Sequence, residues 1–448
     1  MTRTAGFTEW PTGGSVPEPG RDTPVAGRFD VVVCGGGPAG LAAAISAARR
    51  GAATALIERN GCLGGVWTAG MLSAVLDADK PGGVLSDIVA RLHARGAHVP
   101  RSRSNFVYDV EQMKLVVEEL CIEADVRVRL HTYVTAAHVD QHGRLRAVLT
   151  ESKSGRQAWA GSVFVDCTGD GDLAAQAGCR YSMGHPESGL TQPLSLMAIV
   201  AGADAAATRG FWHGEVPGRK QALLAEFRAA GFEPSYTAPT LFHVRDDVYA
   251  LMANHQYQVR ADDAAGITDA TLRARAEIDR SVRALRSLGG AWSGLSLVAT
   301  AEQIGVREGR RIVGRDTVVE ADLVTGRSRV DAVTTATFGM DVHSPDPGHG
   351  RDFAVRDTRP VLPYGIPYGA LVAADVDGLL MAGRCISGDF MAHSSYRVTG
   401  NATAMGQAAG VAAAACAAGG LQPHELDWTP AHLATPEPDS ATEAPWHH

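Results

Sequence analysis

The sequence is short of several things, and each shortage closes off a class of function. It holds only 7 cysteines in 448 residues, Cys34, Cys62, Cys121, Cys167, Cys179, Cys385 and Cys416. They form an odd set with no CxxC pair and no histidine at zinc-ligand spacing, which reads as reduced, buried thiols rather than a disulfide framework or metal centre. Basic charge is also scarce: 41 Lys and Arg against 49 Asp and Glu give a formal charge of -8, with no local basic block. Nothing there attracts a phosphate backbone or an anionic membrane in general. Long apolar runs are missing too. The small-residue stretch NATAMGQAAGVAAAACAAGG is interrupted by Gln407 and is mostly Ala and Gly, too weak in transfer energy to span a bilayer. The opening MTRTAGFTEWPTGG has no continuous apolar segment of the signal-peptide kind, so a cytoplasmic setting is expected.

What remains is a chain long enough for two or three domains and, at 45 % hydrophobic, able to fill their cores. Residues 1–28 and 429–448 lack periodicity and are expected to be flexible tails. Between them, FDVVVCG is a continuous apolar run, as a central parallel strand with both faces covered requires. LAAAISAARRG reads as the helix that follows, and ATALIER as a second strand ending in Glu58. DVEQMKLVVEELCIEA carries apolar residues at helical spacing, and VRVRLHTYVTAAHVD and LRAVLTES read as neighbouring strands joined through QHGR. WAGSVFVDCTGDGDLAAQAG supplies another buried strand and a glycine-broken turn. Residues 181–360 change character, with Trp, Tyr, His and Arg around an arginine-studded helix, and are assigned to an inserted substrate domain. DGLLMAGRC then restores a buried strand before a small-residue helix, returning the chain to its first domain over 361–428. The expected class is α/β: a Rossmann-like cofactor domain, 29–180 plus 361–428, carrying an inserted α+β domain.

Gly35, Gly37 and Gly40 form GxGxxG in CGGGPAG. The first permits the tight turn, the second lets backbone approach a pyrophosphate, and the third lets helix and strand pack. Alone this pattern is weak among 51 glycines, but strand, helix, second strand and terminal acid all follow in order. Glu58 lies where an acid accepts hydrogen bonds from a ribose diol. The loop itself leaves NAD and FAD open. The late return to a glycine-rich strand and helix, GLLMAGRCISGDFMAHSSYRVTGNATAMGQAAG, resembles the closing element of FAD proteins of the glutathione-reductase-like class. GCLGGVWTAGML resembles the second glycine turn of that class, which runs beneath the flavin.

From about Phe29 to about Gly420, CGGGPAG, LIER, LGGVWTAG, VDCTGDGDLA, IGVREGRRIVG, AGRCIS and MGQAAG together resemble the bacterial FAD-dependent oxidoreductases called the FAD-oxidored family. Fumarate reductases and aspartate oxidases are similar in layout, more distantly. The resemblance implies FAD, with pyrophosphate contacts from Gly35, Gly37, Pro38, Ala39 and Gly40. It implies ribose contact from Glu58 beside Arg59, and adenine contact from the backbone of Val134. Gly64, Gly65, Thr68 and Gly70 would lie along the ribityl chain and ring, with Thr168 and Gly169 near the phosphates. Gly383 and Arg384 would meet the ribityl chain, and Gly400, Asn401 and Ala402 the flavin O2 edge. Arg384 is a departure, because fumarate-reductase-like proteins carry an acid there.

FAD brings the redox chemistry, and the chain must position a substrate and handle a proton. In AHSSYRV the catalytic candidates are His393, Tyr396 and Arg397. The resemblance to fumarate reductases points to Arg397 for orienting an anionic group, a bidentate task suited to guanidinium. His393 is the candidate for proton transfer near neutral pH. The alternative reading has both bracing the loop. Asp341, His343, Asp346 and His349 superficially resemble metal ligands, yet sit in a Pro- and Gly-rich loop and read as solvated or pocket-entrance residues, with no metal expected. Arg307, Glu308, Arg310 and Arg311 read as an ion-paired turn, with a substrate role as the minority view. Cys62 suits a small turn position better than covalent flavin attachment. The leading function is two-electron oxidation of a small organic substrate, or the reverse, by hydride transfer at flavin N5. The alternatives are an FAD-dependent monooxygenase using NAD(P)H and O2, and a flavin-dependent isomerase or lyase. Neither nucleic acid nor membrane is an expected partner.

Overall fold

The computed structural model describes residues 14–18, 20–80, 82–102, 104–214, 217–345 and 360–434. Asp346, His349, half of the expected tail 1–28 and most of the expected tail 429–448 lie outside them. The apolar run starting the ordered chain becomes β1 (Val25–Cys34), whose last four residues are fully buried. It begins ahead of the expected boundary at 29, because Val25, Gly27 and Arg28 already pair with Ala158, Trp159 and Ala160. After it come α1 (Pro38–Arg49) and β2 (Thr54–Ile57), in parallel register with β1 from Val31↔Thr54 to Cys34↔Ile57.

β1 lies inside a seven-stranded sheet, between β2 and the long strand Gly155–Asp166. The far side of that long strand is shared. Its first half pairs antiparallel with Leu145–Ser152, and its second half pairs parallel with Leu379–Met381. Cys34 is thereby level with Ile57 and Asp166, and Asp166 with Met381. Four parallel strands thus end together, and the residues just beyond them form one edge, where open α/β sheets bind ligands.

The C-terminal helix Thr399–Gly419 packs on α1, and the two bury most of their small residues against the sheet. A second core is built on an antiparallel sheet of Thr240–Arg245, Val248–Met252, Ala198–Ala201 and Ser296–Thr300, with the helix Ala264–Ser287 against it. This core ends in sequence at Ile304. Ile312, Val318, Leu323, Val333 and Ala336, expected in the inserted segment, instead pack into the first core. Ala332–Ala336 pairs with Tyr364–Pro367, which carries Val333 and Ala336 there, while the backbone N–H groups of Ile312 and Val318 donate to the carbonyls of Cys385 and Ser387. At the other end, Trp428 stacks on Tyr368 at 5.1 Å, and Arg50 donates to the carbonyls of His432 and Ala434 at 2.7 and 2.6 Å. Residues 429–434, expected in a tail, are thus tied to the body. Among the described residues no helix is long and apolar enough to cross a membrane.

Candidate active site

A cleft of about 1050 Å³, counting its open mouth, runs along the ends of the four parallel strands. Gly35, Gly37, Pro38 and Ala39 line it after β1, and Glu58 and Arg59 after β2. Thr168 and Gly169 follow the long strand into it, and Gly383 and Arg384 follow Leu379–Met381. Gly35 has φ +96°, where L side chains are strained, and a Cβ there would lie 2.4 Å from the Cys167 carbonyl oxygen. A Cβ on Gly37 would meet nothing within 4 Å, so the space before α1 is open. α1 has no side-chain cap and no acid in its first turn. Its leading N–H groups and the positive end of its dipole are therefore available to an anion.

Glu58 is almost fully buried, and its carboxylate is fixed by the Gly36 N–H at 2.6 Å, the Asn60 N–H at 2.8 Å and Asn60 Nδ2 at 2.7 Å. Val134 lines the cleft beside Thr132 and Tyr133, next to Glu58, whose backbone carbonyl accepts from the Thr132 N–H at 3.0 Å. Arg384, which stands where an acid was expected, donates to Asp170 Oδ1 at 2.8 Å. Asp170, in GDGD, is buried off the cleft wall and serves to hold the arginine.

Gly65, on which a Cβ would lie 2.9 Å from the Gly37 Cα, borders the glycine loop, and Val66, Gly70, Ile304, Thr399, Ala402 and Arg397 complete the wall. Arg397 Nη2 donates to the Asp341 backbone carbonyl at 2.7 Å and lies 3.4 Å from Asp341 Oδ2. Burial lowers the guanidinium, and Asp341 and Glu308 oppose that shift. Arg307 is brought down to about 10, first by burial and then by Arg397. Both remain cations at neutral pH. The turn 307–311 is ion-paired as expected: buried Glu308 binds Arg311 closely and accepts from the backbone N–H groups of Gly184 and Gln192 at 2.9 and 3.1 Å.

A family model for FAD dependent oxidoreductases matches residues 30–435. The chain belongs to this family. Its cofactor is FAD, and it is an FAD-dependent oxidoreductase with a Rossmann-like fold. The cleft fits the group: an open approach at Gly37, an uncapped helix start, a fixed acid at Glu58 and a long channel beyond. No curated protein matches the sequence. Solved structures that are similar include a flavin-dependent brominase (14% identity, TM-score 0.49, covering 88% of this chain and 80% of that one). The myxobacterial chondrochloren halogenase is similar at 14% and 0.49, covering 89% and 77%. A geranylgeranyl bacteriochlorophyll reductase-like protein from Thermoplasma acidophilum stands at 12% and 0.45, covering 91% and 81%. Likenesses this low say nothing about the reaction.

Several expected site residues of this flavoenzyme are not on the cleft wall. Gly40 lies under the loop, where a Cβ would be 1.7 Å from the Gly35 carbonyl oxygen. Thr68 is fully buried and spends its hydroxyl on the Leu63 carbonyl, and Gly64 faces Thr68, so both shape the turn from within. Gly400 donates its N–H to the Leu76 carbonyl at 3.1 Å, and Asn401 is buried beside Asp77. Thr399 and Ala402 take their place in the wall.

Two catalytic candidates are corrected as well. His393 is fully buried and held deprotonated by that burial and by Arg311 and Arg397. Tyr396 packs edge-on against His393 and donates to the Ile386 carbonyl at 3.3 Å. Neither reaches the cleft. Cys62 is also off the wall, its Sγ 3.7 Å from Thr68 Oγ1, and burial pushes its thiol up, away from the thiolate. All seven thiols are free, and among the described residues no group of three metal-ligating side chains occurs.

Proposed function

We propose that this enzyme oxidises a small anionic organic molecule by two electrons, or runs the reverse reduction, with Arg397 seating the anionic end. Gly35, Gly37, Pro38, Ala39 and the start of α1 would hold the FAD pyrophosphate, and Glu58 the ribose. Arg59 and Val134 would border the adenosine half, with Gly65, Thr168, Gly169, Gly383 and Arg384 along the middle, and Gly70 and Ala402 beyond them. When bound, FAD accepts or donates a hydride. The chain's share is to bind, orient and desolvate the substrate.

One observation carries the reading. Arg397 is in the cleft wall, in a buried cluster where Arg307, Arg397 and Arg311 face only two carboxylates, Asp341 and Glu308. Among the described residues Arg307 has no ion-pair partner. Arg307 donates to the Pro193 carbonyl at 2.6 Å and to Ser195 Oγ at 2.9 Å, so its charge is hydrogen-bonded but not neutralised, and an anion seated at Arg397 would offset the excess positive charge. The seven free thiols suit a reducing, cytoplasmic setting.

The test is anaerobic stopped-flow mixing of the holoenzyme with a panel of 2-hydroxy and 2-amino acids, and separately with NADH and NADPH. An organic acid is expected to bleach the bound flavin. Rapid bleaching by NAD(P)H, with oxygen from O2 entering the product, would make the enzyme a monooxygenase. Substrate conversion with no flavin reduction would make it an isomerase or lyase.

A further inference from the structure

Residues from four distant segments meet beside Arg397. The Gln192 side-chain oxygen accepts from the His343 backbone N–H at 3.0 Å and from Arg397 Nη2 at 3.5 Å. Asp341 Oδ2 lies 3.2 Å from His343 Nε2. The His343 ring is 5.1 Å from that of His255, and His255 stacks on Tyr236 at 4.1 Å. Three polar atoms here have no hydrogen-bond partner among the described residues: Gln192 Nε2, His255 Nε2 and Arg397 Nε. Gln192 is 0% and His255 5% exposed, and neither they nor His343 line the cofactor cleft, so the cluster stands behind Arg397. A buried polar atom left unpaired costs about 1–3 kcal/mol, so three together mark a place that a polar ligand completes.

Resting on the reading of Arg397 above, we propose that His343, held by Asp341, accepts a proton from an O–H or N–H of the bound substrate. Gln192, His255 and Arg397 meet its remaining polar atoms. Arg397 and His343 share one carboxylate, Asp341 Oδ2 being 3.4 and 3.2 Å from them. Both side chains thus flank one carboxylate, an arrangement that fits a small acid carrying a hydroxyl or amino group near its carboxylate. With the Asp341 carboxylate accepting from Nε2–H, the lone pair is on Nδ1. In the step, the substrate O–H or N–H bond breaks and Nδ1–H forms. The electron pair stays on the substrate atom, and Asp341 stabilises the imidazolium.

His343 is faced by Asp341, Arg307, Arg397, His255 and the ring of Tyr236 at 5.9 Å. Burial brings His343 down to about 4, Arg307 and Arg397 push the same way, and Asp341 opposes them. His255 is held neutral by burial, Arg307 and His343. Asp341 stays ionised, because its burial is outweighed by His343, Arg397 and Arg307. An arriving anion offsets the two arginines, so substrate binding itself raises the basicity of His343.

The experiment is 15N NMR of the holoenzyme labelled in histidine, with glycolate as the probe and ethylene glycol as its neutral counterpart. One imidazole, absent from H343Q, is expected as the Nε2–H tautomer down to pH 5. Saturating glycolate is expected to raise its pKa by at least one pH unit, ethylene glycol not at all, and D341N to abolish the tautomer preference. An Nδ1–H tautomer, an imidazolium at pH 7, or indifference to glycolate overturns the proposal. Should H343Q lose its flavin, the signal displaced by D341N makes the assignment. An enzyme that organic acids reduce while His343 ignores glycolate overturns the proton-acceptor role alone. Reduction by NAD(P)H with oxygen insertion overturns the proposed reaction and leaves the tautomer result standing.

Discussion

Gly406 and Ala39 touch through their backbones: a Cβ on Gly406 would lie 2.0 Å from the Ala39 carbonyl oxygen. One turn on, Gly410 stands in the same relation to Ala43, at 2.1 Å. The C-terminal helix can therefore lie directly on α1, which joins the late-returning chain to the loop that begins the cofactor cleft. Backbone cannot yield as a side-chain tip can. G406A is expected to cost about 1–3 kcal/mol in urea unfolding of the holoenzyme and to speed FAD loss. Unchanged stability would show that the helices are free to separate.

Glu58 accepts three hydrogen bonds within the protein before any ligand arrives. E58A strips the acceptor from the buried Gly36 N–H, at about 1–3 kcal/mol, so FAD affinity is expected to fall about 10- to 100-fold. Equilibrium dialysis or flavin fluorescence reads this directly. E58A with wild-type affinity would remove Glu58 from the account.

Arg384 and Asp170 form a pair in which the acid is the more buried partner, with side-chain exposures of 20% and 6%. Removing one partner leaves a buried charge, so R384A is expected to cost about 3 kcal/mol, less what the arginine's partial exposure screens. D170N should cost much less in the R384A background than alone. Additive losses in that double-mutant cycle would mean the pair is not coupled.

Acid should destabilise the holoenzyme. His213 and His343 are brought down to about 4 by burial, helped by nearby cations, and burial holds His255 and His393 well below their usual value. The unfolded chain takes up these protons near pH 6.5 and the folded chain only lower, so their stabilisation is present above pH 6.5 and lost as pH falls toward 4. Burial raises Asp166 to about 6 and also raises Asp172, which act the opposite way between pH 3.8 and 6. Four histidines outweigh two carboxyls. Urea midpoints at saturating FAD should drop from pH 6.5 to 4.5, and H213Q should flatten the slope by up to about 1.4 kcal/mol per pH unit. A midpoint rising on acidification would contradict these assignments.

The parallel strands and the phosphate end of the cleft were legible because local sequence encodes them. An apolar run, a glycine turn, a small-residue helix and a strand-end acid occupy one short stretch. The end around Arg397 was legible only in part, since the resemblance singled out Arg397 but not its neighbours. Only the fold brings Gln192, His255 and Arg307 to Asp341, His343 and Arg397, and no spacing announces that meeting. AHSSYRV drew attention to His393 and Tyr396 by proximity to Arg397, yet the helix Phe390–Tyr396 turns both into the core. Gly400 was read as a flavin contact, whereas its missing Cβ serves the approach of Asp77, whose carbonyl oxygen would be 2.1 Å away. Asp341 and His343 read as solvated or pocket-entrance residues, because nothing in the sequence announces Arg307 and Arg397 beside them.

The account turns on Arg397 seating an anionic group, and comparing acids with their methyl esters tests that most directly. Whichever hydroxy or amino acid reduces the wild-type holoenzyme fastest is compared with its ester, in wild type and in R397M, by anaerobic flavin bleaching. The wild type should prefer the acid by about 10- to 100-fold in kcat/KM, the worth of a charged hydrogen bond, and R397M should lose most of that preference. Equal rates for acid and ester in the wild type, or an undiminished preference in R397M, would contradict the central claim.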